Sequence, residues 1–206
     1  MNRANILMQL RLKEPVVLRE FIRSAFQHEP LRCEHILAVA DRAVQVCDTL
    51  LNHRHVNCCL KETECAALLH DIGYLPEIST LLEQATEYHP TGWHPVDGAN
   101  FLRYRGEHRL ATLIEGHGHS PEVSKLRGLA PITVSNDIVA MIITYCDVQT
   151  DPNGIPVSYM ERLNEIGQRK GLESQEYKAH LLARNRIETI ISKIDQLLAV
   201  PILTAT

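Results

Sequence analysis

The sequence lacks an excess of charge of either sign, and it lacks long apolar runs. Its 206 residues include 21 lysines and arginines against 25 aspartates and glutamates, which gives a formal net charge of −4. A chain without a basic surface is not expected to bind nucleic acid or an anionic membrane. No uncharged run approaches the roughly 18 residues that span a bilayer, and the N-terminal stretch MNRANILMQLRLKEP has no apolar segment of signal length. We therefore expect a cytoplasmic protein.

The six cysteines form neither a CxxC pair nor a regular framework. In a chain without a secretion signal, cysteines spaced in this way are expected to be reduced thiols that are mostly buried. The segment HRHVNCC does gather four metal-binding side chains, His53, His55, Cys58 and Cys59. Structural zinc sites usually use two separated ligand pairs, and adjacent cysteines rarely chelate together. We interpret this segment as a polar loop with buried thiols.

Alternation typical of β-strands is nearly absent, whereas apolar residues recur at helical spacing along most of the chain. Ser135 is predicted to cap one of these helices, and Ser158 with Glu161 forms a capping-box pattern at the start of another. The sequence therefore predicts a single all-α domain, 1–206, of about nine helices. The predicted helices cover residues 15–26, 31–51, 62–72, 76–86, 95–105, 108–116, 135–150, 158–171 and 174–200.

Several histidines and aspartates stand in apolar surroundings, where a polar side chain needs a partner. The helix AALLHDIGY ends with His70 and Asp71 just before a glycine. A buried carboxylate without a partner is costly, so we expect a cation beside it. Imidazole nitrogen and carboxylate oxygen together suit divalent Mn, Fe, Co, Ni and Zn. Similar residues are His35 in an apolar helix, Asp147 at the end of the most apolar helix, and two histidines at helix ends, His94 and His117.

Taken singly, these residues have ordinary explanations. His35 fits a core histidine that bonds a backbone carbonyl, Asp147 fits a helix-end residue facing solvent, and histidines in loops are often simply exposed. These explanations require independent coincidences at four positions, namely His35, His70, Asp71 and Asp147. A shared metal site explains all four at once, and we favour it.

The ordered set of His35, the His70–Asp71 pair and Asp147 resembles the HD-domain superfamily of metal-dependent phosphohydrolases. EHILAVADRAV is similar to its first histidine helix, ALLHDIGY to its HD doublet and HPVDGANFLR to its later His-Pro segment. IEGHG is similar to its next histidine element, and IVAMIITYCDVQTD to its final aspartate helix. The resemblance covers about residues 30–150. It implies a single HD-type helical bundle on which the C-terminal helices, 158–200, pack.

The resemblance also implies a divalent metal centre. Iron or manganese is favoured, with nickel, cobalt, zinc and magnesium as alternatives, at one or two ions per chain. His70 and Asp71 would form the catalytic doublet. The implied ligands of the first ion are His35, His70, Asp71 and Asp147.

A second ion is implied by those members of the superfamily that bind two. Its ligands would be His94 and His117, with Asp71 bridging the two ions. The stretch His117-Gly118-His119 leaves this register open by two residues, so His119 is the alternative ligand.

The function implied by the resemblance is hydrolysis of a phosphoester of a small substrate, with a nucleotide favoured. The metal would lower the pKa of water to make hydroxide the nucleophile, and it would polarise the phosphoryl oxygen. The alternative is a non-catalytic HD module that binds a nucleotide or a protein partner and uses its metal for structure or sensing. A homodimer formed through the apolar stripe of the last helix is left open.

The residues that would contact the substrate are not assigned by the resemblance. Many members of the superfamily carry lysine or histidine after the HDIG stretch, where this chain has Tyr74. The cations available to meet a phosphate are Arg42, Lys125 and Arg127.

Overall fold

The computed structural model describes residues 3–199, which fold into eleven α-helices and one 3₁₀ helix. Within this range the sole β-structure is an isolated bridge between Thr150 and Pro156. The all-α class predicted from the sequence is confirmed. The helices are α1 Arg3–Gln9, α2 Pro15–Ala25, α3 Pro30–Arg54, α4 Leu60–Leu69, the 3₁₀ helix Ile72–Tyr74, α5 Pro76–Glu83, α6 His94–Tyr104, α7 His108–Ile114, α8 Ser120–Leu126, α9 Ile138–Asp147, α10 Tyr159–Lys170 and α11 Gln175–Ala199.

The predicted number of about nine helices is too low for the described part of the chain, because α1 and α8 were missed. Each has only seven residues, and two turns offer too few positions to show a helical period. The stretch GHGHSP was interpreted as a break. α8 in fact begins there at Ser120, and the proline lies in its first turn, where proline is well tolerated.

Several helix ends differ from the predictions. α4 ends at Leu69 rather than at residue 72, so the His-Asp pair lies in the turn before the 3₁₀ helix. Asp137, and not Ser135, caps α9, because its carboxylate accepts the Val139 N–H at 2.8 Å. The predicted end of the last helix, at Val200 before Pro201, lies outside the described residues.

The capping box at α10 is confirmed. Ser158 Oγ accepts the Glu161 N–H at 3.2 Å, and the Glu161 carboxylate accepts the Ser158 N–H at 2.7 Å. These two bonds satisfy N–H groups that have no partner inside the helix. They fix where α10 starts.

The long helix α3 packs against α4, α9 and α11. Its buried face repeats at three- or four-residue spacing through Ile36, Val39, Ala43, Cys47 and Leu50. α9 is buried over most of its length, as expected for a helix that is apolar nearly all round, and the apolar second half of α4, residues 65–69, is buried throughout. Each fully buried leucine or isoleucine contributes about 1.5–3 kcal/mol. This packing brings the C-terminal ends of α4 and α9 beside α3.

Gly73 allows the 3₁₀ helix to touch the start of α6. A Cβ atom on Gly73 would lie 2.0 Å from the His94 carbonyl oxygen and 2.6 Å from the Gly98 nitrogen, both of them backbone atoms. Such distances are far inside van der Waals contact, so only glycine fits. The close approach brings His94 next to Asp71. None of the described helices has the length and apolar character needed to cross a membrane.

Replacement of Gly73 by alanine is expected to force the 3₁₀ helix away from α6, because the added methyl group meets backbone that cannot rotate aside. We expect the free energy of unfolding to fall by about 2–3 kcal/mol, as measured by urea denaturation. Gly116→Ala is the matched control, since a Cβ there would meet its nearest neighbour at an ordinary 3.4 Å. Equal stability of the two variants would contradict the tight contact.

Candidate metal centre

The six side chains predicted to bind metal lie close together. Five of them line a single cavity, and the sixth, His70, has its Nε2 atom 3.7 Å from Asp71 Oδ1. Five of them stand at or just beyond a helix end, where the side chain can turn towards a common point. Five are buried, and the Asp147 side chain is 17% exposed. Their positions are His35 in α3, His70 and Asp71 after α4, His94 at the first residue of α6, His117 after α7, and Asp147 at the last residue of α9.

One carboxylate oxygen, Asp71 Oδ1, is surrounded by three imidazoles. The Nε2 atoms of His94, His70 and His117 lie 3.1, 3.7 and 3.8 Å from it. The second carboxylate, that of Asp147, points its Oδ1 at His35 Nε2, 3.2 Å away, and lies 3.9 Å from His70 Nε2. His70 therefore faces both carboxylates.

Backbone carbonyls orient two of the imidazoles. The carbonyls of Ala67 and Ile114 are among the last four of α4 and α7. Such carbonyls have no backbone N–H donor inside the helix and can accept from a side chain. His70 Nδ1 and His117 Nδ1 each donate to one of them at 2.6 Å. In the neutral ring this leaves Nε2 with its lone pair facing the cavity. His70 Nε2 is buried and has no hydrogen-bond partner.

His35 is held in the same way by a loop. Its Nδ1 bonds the Asp151 carbonyl at 3.1 Å. The Asp151 carboxylate in turn accepts the N–H groups of Asn153 and Ile155, both at 2.8 Å, which fixes the turn after α9. The ordinary explanation of His35 as a carbonyl-bonded core histidine thus describes one ring nitrogen, while the other remains directed at Asp147.

The loop before α6 is ordered by Asp97. This buried carboxylate accepts the backbone N–H of Thr91 at 2.7 Å and that of Gly92 at 2.9 Å. It thereby closes the segment that leads into His94, and the His-Pro-x-Asp pattern of α6 acquires a local physical explanation.

Two sets of three side chains could each hold a metal ion. The sets are His35 with His70 and Asp71, and Asp71 with His94 and His117, and within each set the ligand atoms lie within 4.8 Å of one another. Asp71 belongs to both. The buried, unpartnered Nε2 of His70 and the mixture of nitrogen and oxygen donors fit a divalent first-row ion.

His119, the alternative to His117, also lines the cavity, but its ring lies against His180 rather than Asp71. Its ring stacks on that of His180 at a centroid distance of 3.7 Å. It belongs to neither of the two ligand sets found among the described residues. The geometry therefore selects His117 as the histidine that points at Asp71.

Sequence reasoning missed Arg32. Its Nη1 atom lies 2.6 Å from Asp71 Oδ2, and its guanidinium lies 3.6 Å above the ring of Tyr74, which stacks on His94 at 3.8 Å. Arg32 precedes His35 by three residues, and residues at this spacing share a helix face. That spacing was the available signal for a cation beside the metal-binding residues.

The three cations named from the sequence lie elsewhere. Arg42 donates to the Gln149 carbonyl and to the Thr150 hydroxyl, so it ties α3 to the turn after α9. Lys125 is exposed, and Arg127 donates to the Gly92 carbonyl at 2.8 Å. None of the three lines the cavity that contains Asp71.

The charges of the centre favour a state that is ready to bind metal. Burial alone would raise the pKa of Asp71, but the neighbouring His70 and the Arg32 guanidinium hold it well below its usual range. Burial likewise opposes ionisation of Asp147, and its bond to His35 reverses the effect and lowers its pKa. Burial lowers the pKa of His70, and it lowers that of His94 to about 4. Both carboxylates are thus ionised and both these imidazoles are neutral at pH 7, as ligands must be.

His117 behaves differently from His70 and His94. Burial works against its charged form, but the carboxylates of Asp71 and Asp147 outweigh burial and raise its pKa. Binding of a cation at His117 therefore competes with a proton.

The segment HRHVNCC does not gather into a site. His53, His55 and Cys59 are exposed, whereas the Cys58 sulfur is buried 3.0 Å from the Cys47 sulfur. Neither of the two ligand sets found in the described part of the chain includes any of these residues. The expectation of buried thiols is right for Cys58 and wrong for Cys59.

A family model described as HD domain matches residues 32–149, which is more than half of the chain. The matched segment begins at Arg32, ends shortly after Asp147 and contains all six residues of the centre. α10 and α11 lie beyond it. No match was found among curated proteins or among solved structures.

The metal-free protein is expected to lose stability as the pH falls from 6.5 to 4. Burial lowers the pKa of both His94 and His180 to about 4, against about 6.5 for an unfolded histidine. In this window the unfolded chain binds protons that the folded chain does not, so acidification favours unfolding by on the order of 2–3 kcal/mol per histidine. Thermal unfolding in the presence of a chelator measures the slope.

The variant His180→Gln is the comparison for this slope. It removes one of the buried imidazoles whose pKa is lowered without touching the six residues of the centre, so its stability should vary less with pH than that of the unmodified protein. A melting temperature that is constant between pH 6.5 and 4 would contradict the burial of neutral imidazoles.

Proposed function

The chain belongs to the HD-domain family, and on that premise we propose that it is a metal-dependent phosphohydrolase acting on a small phosphorylated substrate, with a nucleotide as the first candidate. The observation that carries the proposal is the position of Asp71, which belongs to two sets of possible metal ligands at once. A carboxylate shared in this way can neutralise two cations that would otherwise repel each other.

The donor set supports a transition-metal centre. The mixture of imidazole and carboxylate suits any divalent first-row ion, and we propose iron or manganese on the family resemblance, with nickel, cobalt, zinc or magnesium as alternatives. When bound, the ion would supply the positive charge that acidifies water and polarises the phosphoryl oxygen. One ion would be held by His35, His70, Asp71 and Asp147, and a second by His94 and His117 together with Asp71.

In the proposed reaction, the residues of the chain orient the metal ligands, exclude bulk water and position the substrate. The carbonyl-bonded imidazoles of His35, His70 and His117 are oriented before any ligand arrives, so little reorganisation is needed during the reaction. Burial of these rings limits the access of bulk water and strengthens every charge interaction in the cavity. Phosphoryl transfer depends mostly on positioning and charge neutralisation, which such a cavity favours.

Arg32 is the cation that lies beside Asp71, whereas the three cations named from the sequence do not line the cavity. Many HD-domain proteins carry lysine or histidine where this chain has Tyr74. Here the guanidinium of Arg32 lies directly over the Tyr74 ring and contacts Asp71 through one nitrogen. It also lines the cavity. We propose that Arg32 contacts the phosphate of the substrate in place of the cation found after HDIG in those relatives.

Asp71→Asn tests the metal centre with little change in shape. Loss of the charge should remove most of the bound metal, and hydrolysis should fall by at least about 100-fold, since even residues outside the ligand shell typically affect metal sites 10–100-fold. Elemental analysis measures the metal. Activity is measured in a screen of nucleotides and phosphomonoesters with Mn, Fe, Co, Ni, Mg and Zn.

The double variant His53→Ala with Cys59→Ser is the control, because both side chains are exposed and neither faces the centre. It should keep its metal and its activity. Full metal occupancy in Asp71→Asn would sink the proposed centre. Metal and nucleotide binding without turnover under any condition would instead favour the non-catalytic module.

His94→Ala and His117→Ala test whether two ions bind. Each variant removes one ligand of the second set only, so about one tightly bound ion should remain while activity falls. Crystals of the unmodified protein soaked in manganese should show two anomalous peaks near Asp71, and those of each variant one. A single peak in the unmodified protein, with both imidazoles uncoordinated, would leave a mononuclear site.

A further inference from the structure

One face of α10 borders the metal-binding cavity. The residues on this face are Arg162, Ile166, Arg169 and Lys170; the other three lie three or four residues from Ile166, so all four share one side of the helix. α10 lies outside the segment that matches the HD-domain family model. The cavity is therefore completed by cations that the family core does not provide.

Glu165 holds two of these cations next to each other. One of its carboxylate oxygens bonds Arg162 Nη1 and the other bonds Arg169 Nε. Each guanidinium thus uses one nitrogen, and no further hydrogen bond or ion pair occupies the others among the described residues. The three side chains together carry a charge of +1, with several N–H donors unshared.

The two arginines stand where the cavity opens into a neighbouring groove. The inner cavity, of about 140 Å³, and the groove, of about 510 Å³, share Arg32, His35, Arg162 and Arg169. Ligand pockets usually measure roughly 300–1,000 Å³, so the inner cavity suits the reacting phosphate and little more. The rest of a substrate has to leave it, and the groove offers a way out past Arg162 and Arg169.

Stability does not explain this arrangement. The bonds from Glu165 are pairs three and four residues apart on one helix, and the pair with Arg169 is exposed enough to contribute little to folding. The Arg169 side chain is 46% exposed. In contrast, planar guanidinium groups with free N–H donors match the oxygens of phosphate and carboxylate groups well.

We propose that Arg162 and Arg169 bind a second anionic group of the substrate, so that the preferred substrates carry another phosphate or a carboxylate besides the phosphoester that is cleaved. This inference rests on the proposed hydrolase function and assigns a substrate class to it. The HD-type core acts on the phosphoester, and α10 selects the molecule that carries it.

The binding of non-hydrolysable probes to the manganese-loaded protein tests the inference. Calorimetry compares alkylphosphonates with alkane diphosphonates of one to four methylene groups and with phosphonocarboxylates of the same lengths. We call the alkylphosphonates, which have one anionic group, singly anionic, and the other two series, which have two anionic groups, doubly anionic. For at least one chain length, the doubly anionic probe should bind at least about 10-fold more tightly than the singly anionic one, as expected for charged hydrogen bonds. A preference for diphosphonates over phosphonocarboxylates, or the reverse, identifies the second group.

Arg162→Gln with Arg169→Gln should abolish that preference and leave the affinity for alkylphosphonates within about 2-fold. Arg184→Gln is the matched control, because Arg184 makes a similar pair with Glu188 on α11 and does not line the cavity. Circular dichroism and the melting temperature show whether each variant is folded. Unchanged affinity for every doubly anionic probe in the double variant would overturn the inference.

Hydrolysis assays on the same preparations separate this inference from the proposed function. If the protein hydrolyses phosphoesters but binds singly and doubly anionic probes alike, the role of α10 is refuted and the hydrolase stands. If doubly anionic probes bind more tightly through Arg162 and Arg169 but no phosphoester is cleaved with any metal, the anion site stands and the hydrolase is refuted.

Discussion

The ionised carboxylate of Asp71 is the constraint on which the rest of the structure depends. A buried charge of this kind is tolerated only when it is paired and hydrogen-bonded, and breaking such pairs is strongly destabilising. Here Arg32 pairs with one oxygen, while His94, at 3.1 Å, and His117, whose pKa the carboxylate raises, stand beside the other. These partners come from three different parts of the fold, so packing of the helices and neutralisation of the charge require each other.

The residues of the centre were largely predictable because they break the pattern of their surroundings. His35, His70 and Asp147 interrupt or end apolar helices, and Asp71 follows the most buried part of α4. Such breaks are visible without a structure. The assignment of His94 and His117 depended on the family resemblance, because nothing local in the sequence links a helix start to a helix end across the fold.

Arg32 could not be found in the same way, since its partner is 39 residues distant in the chain. An arginine near the start of a helix is usually solvated, and only its spacing from His35 hinted otherwise. Arg42 illustrates the opposite error, because a cation that looked available is used by backbone carbonyls of the turn after α9. The helix caps show the same difference between interactions that depend on nearby residues and those that depend on the rest of the fold. The bonds between Ser158 and Glu161 span three residues and were predicted correctly, whereas a choice between Ser135 and Asp137 depends on where the incoming loop turns.

The contacts that orient three of the imidazoles are made by the main chain. His35, His70 and His117 donate to carbonyls of Asp151, Ala67 and Ile114, and in two cases the carbonyl is a free end of the preceding helix. A carbonyl is present whatever side chain its residue carries. In metal sites the second ring nitrogen of a histidine donates to a carboxylate, a backbone carbonyl or water. Here the main chain is the acceptor in all three cases. A point substitution cannot remove a backbone carbonyl. The residues around the ligands can therefore vary widely in sequence while the orientation of the ligands stays the same.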